Sequence, residues 1–265
     1  MPQNVVWGYH VGTLDTSPIA GRVAVVTGAG RGLGRAAVRA LAEAGADLVL
    51  LGRSAEQLSE AAHEVEGLGR RALALPTDVT DESAVERAAK TALSALGRID
   101  ILINNAGIAR VSPLLSTSLA DFRQLFDVNV VGMFLCARAF GAPMVAQRSG
   151  RIINVASVAG LGGENNLTGY CATKGAVIAF TRALSVEWAR HQVTVNALAP
   201  GYFATDMNAA ALSHPEIAPK LLREIPLRRF GEAPELGPLI VYLASDASAY
   251  MTGSVLVIDG GQTAH

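Results

Sequence analysis

Three features of the 265-residue sequence predict a doubly wound α/β fold, a seven-stranded parallel sheet with helices on both faces in a single domain. Short aliphatic and β-branched runs alternate with longer amphipathic stretches, the runs are almost continuously apolar, and no repeat or linker divides them. Continuous apolar runs belong to strands covered on both faces, and strand–helix alternation produces parallel pairing through crossovers.

The elements follow in order. An irregular arm over 1–20, marked by Pro2, Gly8, Gly12 and Pro18, precedes the domain at 21–265. Strands are read at 23–27, 47–51, 72–75, 99–103, 151–155, 193–197 and 255–258. Helical stretches lie between them, among them 34–44, 55–66, 82–96 and 172–190. The segments Ser54-Ala-Glu56-Gln57 and Asp81-Glu82-Ser83-Ala84 read as helix starts, with acids in the first turn to oppose the helix dipole. In such sheets the loops at the carboxyl ends of the strands carry the ligands.

Composition excludes several classes. Half the residues are hydrophobic and 22 Lys+Arg are matched by 23 Asp+Glu, so neither disorder nor a broad positive field for nucleic acid is expected. Cys136 and Cys171 are too few for a metal cluster or a disulfide framework and read as free thiols in a reducing compartment. The first twenty residues have neither the basic cluster nor the apolar core of a secretory signal. No stretch reaches the roughly eighteen uninterrupted apolar residues of a membrane span. The expectation is a soluble, cytoplasmic protein without membrane or nucleic-acid partners.

The first strand runs into Thr27-Gly28-Ala29-Gly30-Arg31-Gly32-Leu33-Gly34, followed by a helix. Glycines let the backbone turn sharply and approach a ligand, and the helix start offers unpaired N–H groups to a pyrophosphate. Leu33 breaks the G-x-G-x-x-G spacing; the loop fits T-G-x-x-x-G-x-G through Gly28, Gly32 and Gly34. Dinucleotide folds that take NAD usually present an acid at the tip of the second strand. Here the tip reads Leu50-Leu51-Gly52-Arg53-Ser54, with Arg53 in that place and Arg31 within the loop. Two guanidiniums without a competing carboxylate favour NADP(H), with NAD(H) as the alternative.

Downstream, Ser157 ends the fifth strand, and Tyr170 and Lys174 stand four apart on one helical face. A phenol titrates near pH 10, and bringing it to neutrality takes roughly 4 kcal/mol of preferential stabilisation of the phenolate. A lysine ammonium beside it is expected to supply that. A tyrosine so tuned exchanges a proton with a carbonyl or alcohol oxygen while a hydride moves to or from a nicotinamide, and Ser157 polarises the same oxygen.

With these residues in this order, the sequence resembles the short-chain dehydrogenase/reductase family from about Gly21 to Gly261. The resemblance implies a Rossmann-type sheet and assigns Thr27, Gly28, Arg31, Gly32, Leu33 and Gly34 to the cofactor loop. It places Asp78-Val79 at the adenine and matches Asn104-Asn105-Ala106-Gly107 to the turn after the fourth strand. It completes a catalytic tetrad of Asn129, Ser157, Tyr170 and Lys174, with the helix opened at Asn129 and a water linking it to the lysine. Pro200, Gly201 and Thr205 match the segment that seats the nicotinamide carboxamide, and Lys174 is implied to bond the nicotinamide ribose. Assembly as a homotetramer or homodimer is also implied.

At the substrate end, 202–230 carries Met207, Leu212, Ile217, Leu221, Leu222 and Ile225 at roughly helical spacing, expected as a helix pair that packs on the body and serves as a lid. The polar segment 160–166 is a second wall, equally explained by substrate hydroxyls or by solvent. Arg228-Arg229 could anchor an anionic group such as a carboxylate or a carrier phosphopantetheine, but read rather as caps or partners of neighbours such as Glu232 and Glu235; His191 and His214 form no metal pattern, and Cys171 reads as helix packing. The function expected is interconversion of a small carbonyl compound and its alcohol. A 3-oxoacyl-thioester reductase and a gluconate-type sugar-acid dehydrogenase are the nearest candidates, with polyol oxidation alongside. A non-catalytic nucleotide sensor or scaffold is the reading from a different class.

Overall fold

The computed structural model describes residues 17–205 and 209–264. The sheet runs β3-β2-β1-β4-β5-β6-β9, all parallel. Its strands are β1 (Val23–Thr27), β2 (Asp47–Gly52), β3 (Ala72–Pro76), β4 (Ile101–Asn104), β5 (Gly150–Val155), β6 (Val193–Pro200) and β9 (Val255–Ile258). The order reverses between β1 and β4, so the loops leaving these two strands diverge and open a crevice at their carboxyl ends.

Strict alternation of side chains through each strand builds two cores from one sheet. Ala24, Val26, Leu48, Leu50, Ile101 and Ile103 face α1 (Gly32–Glu43), α2 (Ala55–Gly67) and α9 (Gly237–Ala244). Val23, Val25, Val49, Leu51, Leu102 and Ile152 face α3 (Glu82–Leu96), α5 (Gly132–Gln147) and α6 (Thr168–Trp188). Ser54 and Asp81 cap α2 and α3 by accepting from the backbone N–H of Gln57 and Ala84.

The fourth strand departs from its expected range of 99–103. Ile99 and Asp100 precede β4, and the Asp100 carboxylate accepts from Val23 N at 2.9 Å and from both arms of Arg98. Its backbone still bonds both neighbours, Asp100 N donating to the Val23 carbonyl at 2.9 Å and Arg151 N to the Asp100 carbonyl at 2.8 Å, and the buried carboxylate anchors the start of β1. The long helix α6 begins at Thr168, four residues before the expected 172, and ends at Trp188. A further helical run, not singled out from sequence, joins α4 (Leu119–Phe126) to α5 through a π turn at Asp127–Val131. Spanning Leu119–Gln147, it is long and apolar enough to cross a membrane by length and composition, but here Leu135, Cys136, Phe140 and Met144 fill the core against the sheet.

In the segment 202–230, β7 (Phe203–Ala204) pairs with β8 (Gly231–Glu232) as a two-stranded clamp around the short helices α7 (Ala209–Ser213) and α8 (Ala218–Glu224). Met207, and the arm up to residue 16, lie outside the described residues. Arg229 donates two parallel hydrogen bonds to the Glu235 carboxylate, both at 2.7 Å, and Arg228 donates to the Leu222 and Arg223 carbonyls at the end of α8. These arginines hold the base of the segment.

Phe140 of α5 is fully buried between helix and sheet. Phe140→Ala is expected to cost about 3–5 kcal/mol of unfolding free energy, read as a lower urea midpoint; a loss below about 1 kcal/mol would contradict this packing.

Candidate active site

The crevice has a volume of about 600 Å³. Its walls bring together Gly28, Arg31, Gly32, Leu33, Arg53, Asp78, Val79, Asn105, Ala106 and Gly107 from the β1, β2, β3 and β4 ends. Ser157, Tyr170, Lys174, Pro200, Gly201 and Thr205 complete it from β5, α6 and β6. Three expected residues stand behind the wall instead: Thr27, Gly34 and Asn129.

Thr27 and Gly34 shape the loop. The Thr27 hydroxyl accepts from the backbone N–H of Asn105 and Ala106, both at 2.9 Å, and the Asn105 amide donates to the Thr27 carbonyl at 2.9 Å. The two loops are thereby tied across the crevice floor. Gly28 and Gly32 have φ of +65° and +55°, where a side chain is strained. At Gly34 a Cβ would collide with the Gly28 carbonyl oxygen, so α1 can start only from a bare backbone. Gly30 has the same role against Gln57, at 2.8 Å, and was not among the residues picked from sequence.

Arg31 and Arg53 are exposed on the same wall, and neither has a carboxylate within salt-bridge distance among the described residues. Asp78 spends one oxygen on Thr80, accepting from its N–H at 2.9 Å and its hydroxyl at 2.8 Å.

At the other end, Ser157 and the half-buried Tyr170 line the crevice together. Lys174 is fully enclosed; its Nζ donates to the Val155 carbonyl at 2.7 Å and lies 5.7 Å from the centre of the Tyr170 ring. Burial lowers the Lys174 pKa to about 8. The Tyr170 pKa is pushed up to about 12, chiefly by burial, against the opposing effect of the Ser157 hydroxyl. Burial thus works against the acidic phenol expected from sequence, and the Lys174 ammonium is engaged by a strand carbonyl.

Asn129 sits on the π turn with its side-chain capacity committed. Oδ1 accepts from Ile108 N at 2.8 Å, while Nδ2 donates to the Ile108 carbonyl at 2.9 Å and to Thr173 Oγ1 at 3.0 Å. Thr173 in turn donates to the Tyr170 carbonyl at 2.8 Å. Asn129 therefore clamps the β4 loop to α6 rather than reaching into the crevice. Thr173 was not singled out from sequence; its place directly before Lys174, on the buried side of α6, is the only signal it leaves. Among the described residues no group of His, Cys, Asp or Glu is placed to hold a metal.

Comparison with known proteins agrees with this architecture. The short chain dehydrogenase family matches residues 22–216. Galactitol 2-dehydrogenase (L-tagatose-forming) of Cereibacter sphaeroides is 45% identical over 92% of this chain and 95% of its own. The 3-oxoacyl-[acyl-carrier-protein] reductase of Synechocystis is 41% identical over 92% and 97%. The structure of a gluconate 5-dehydrogenase from Burkholderia cenocepacia in complex with NADP and tartrate superposes with a TM-score of 0.91 at 37% identity, covering 95% of this chain and 98% of that one. The chain belongs to the short-chain dehydrogenase/reductase family and is one of its oxidoreductases.

Thr173→Val leaves the Asn129 amide one acceptor short and is expected to cost about 1–3 kcal/mol. Combined with Asn129→Ala, the loss should fall short of the sum of the single losses. Strict additivity in urea unfolding would show that the two side chains do not interact.

Proposed function

We propose that this protein is an NADP(H)-dependent oxidoreductase that interconverts a ketone and a secondary alcohol, with Tyr170 as the general acid and base. One observation carries the reading: a single crevice has unpaired Arg31 and Arg53 at one end and the Ser157–Tyr170–Lys174 group at the other. The left-handed glycines of the loop, and a helix start that admits no Cβ, fit a pyrophosphate laid against backbone N–H groups. Arg31 and Arg53 would hold the 2′-phosphate, Asp78 and Val79 the adenine, and Asn105, Ala106 and Gly107 the middle of the dinucleotide. Pro200, Gly201 and Thr205 would seat the nicotinamide. When bound, the nicotinamide supplies or accepts the hydride.

The chain's own groups handle the proton. In reduction, Tyr170 donates its hydroxyl proton to the carbonyl oxygen while Ser157 hydrogen-bonds the same oxygen and stabilises the charge that develops there. In oxidation, the proton leaves the alcohol oxygen for Tyr170 as the C–H pair leaves the carbon. Lys174 keeps a cation beside the phenol and favours the phenolate whenever it forms. Segment 202–230 closes over the substrate as a lid. The identity of the carbonyl compound is best sought among polyols, sugar acids and 3-oxoacyl thioesters. The protein is expected to work as a homotetramer.

Tyr170→Phe should lower kcat/KM about 10²–10⁴-fold while the dissociation constant for NADPH, followed by nucleotide fluorescence, stays within about twofold. Full activity in this variant would remove Tyr170 from the proton step. Arg53→Ala should weaken NADPH about 10–100-fold, as expected for loss of a bond to a charged group, and leave NADH nearly unchanged. Equal losses for both nucleotides would refute the 2′-phosphate contact.

A further inference from the structure

Arg35 directly follows Gly34 and stands apart from the residues of the crevice wall. Its guanidinium reaches from α1 to α2. Nη1 donates to the Gly30 carbonyl at 3.3 Å and to the Gln57 carbonyl at 3.0 Å, while Nε donates to Glu64 Oε2 at 2.9 Å. The side chain is only 20% exposed, although it is charged. Three acceptors from three places in the chain share one planar donor group. A guanidinium supplies that fork, and the single ammonium of a lysine does not.

Two of these acceptors are neighbours of the crevice arginines. Gly30 directly precedes Arg31, and Gln57 lies in the first turn of α2, into which Arg53 and Ser54 lead. Gly30 packs so closely on Gln57 that a Cβ there would lie 2.8 Å from the Gln57 Cβ. The glycine loop and α2 thus touch at this pair of residues, and Arg35 ties the same contact through both carbonyls. Arg31, Arg53, Ser54 and Gln57 all line the crevice. The earlier part of the loop has moorings of its own: Ala29 N donates to the Leu51 carbonyl at 3.0 Å, and Asn105 Nδ2 donates to the Gly28 carbonyl at 3.3 Å. Loss of the Arg35 fork would free the Gly30–Arg31 corner from α2 and leave the part next to β1 anchored.

We propose that Arg35 is a positioning residue for coenzyme selection: it fixes the Gly30–Arg31 corner against the first turn of α2, so that Arg31 and Arg53 stand at one set separation for a 2′-phosphate. The inference rests on the NADP(H) reading and adds to it a residue that touches no part of the nucleotide. Cations whose backbones are already fixed lose less freedom when the ligand arrives, so more of their attraction appears as affinity. A nucleotide without the 2′-phosphate has nothing to gain from that separation.

The test is the dissociation constant of the full chain for NADPH and for NADH, followed by nucleotide fluorescence, in the wild type, R35A, R35K, R53A and R35A/R53A. R35A should weaken NADPH about tenfold and NADH less than about threefold. Retained NADH binding shows that the variant is folded. R35K keeps the charge without the planar fork and should bind NADPH at least about threefold more weakly than the wild type. In the R53A background, R35A should add about threefold or less to the NADPH loss, because the pair it aligns is already broken. Equal losses for the two nucleotides in R35A, wild-type NADPH affinity in R35K, or a full tenfold further loss in R35A/R53A overturns the proposal. Should R35A bind neither nucleotide, R35K decides by the same ratio. A selective NADPH loss in R53A with none in R35A removes the role of Arg35 and leaves the 2′-phosphate contact standing; equal losses for both nucleotides in R53A overturn both.

Discussion

The hydrogen-bonded knot between the ends of β1 and β4 is the constraint on which the crevice depends. Thr27 and Asn105 exchange bonds across the gap where the strand order reverses, and each satisfies backbone groups that would otherwise be stranded at the bottom of a polar cleft. Because both strands are parallel and buried on both faces, they have no freedom to slide. The knot therefore fixes the distance between the glycine loop on one side and Gly107, which abuts Asn129 and Lys174, on the other. The two ends of the crevice inherit one registration.

A second layer of organisation surrounds α6. Lys174 is pinned to β5, Asn129 ties the π turn to Thr173, and Thr173 bonds back to the Tyr170 carbonyl. The helix carrying the phenol is thus attached at two points to its surroundings, and the Thr173 bond relays one of them to the Tyr170 backbone. The π turn is the geometric cost of that attachment: an extra residue in the turn rotates Asn129 into the core, where its amide reaches both Ile108 and Thr173.

The fold was legible because a sheet buried on both faces writes itself as uninterrupted apolar runs, and 23–27, 47–51 and 255–258 hardly differ from the observed strands. The start of β4 was not, since Asp100 is a polar residue whose use in anchoring Val23 depends on a neighbouring strand. In the site, residue identity and spacing were enough to name the groups that meet in the crevice, but not to say which face it. Thr27, Gly34 and Asn129 act from behind the wall, and their neighbours there are tertiary facts. For the Tyr170 phenol, helical spacing brings a lysine near, whereas burial of the phenol and the bond from Lys174 to the Val155 carbonyl are not written in the spacing.

The glycine loop and the tip of β2 differ sharply in their tolerance. At Gly34 the space is already filled by the Gly28 carbonyl, while Arg53 stands exposed just past the end of β2. An engineer wishing to retune this protein for another coenzyme would find a keystone that admits no revision beside a terminal that can be rewritten at small expense to the scaffold. Natural descendants of the chain would drift along that same division.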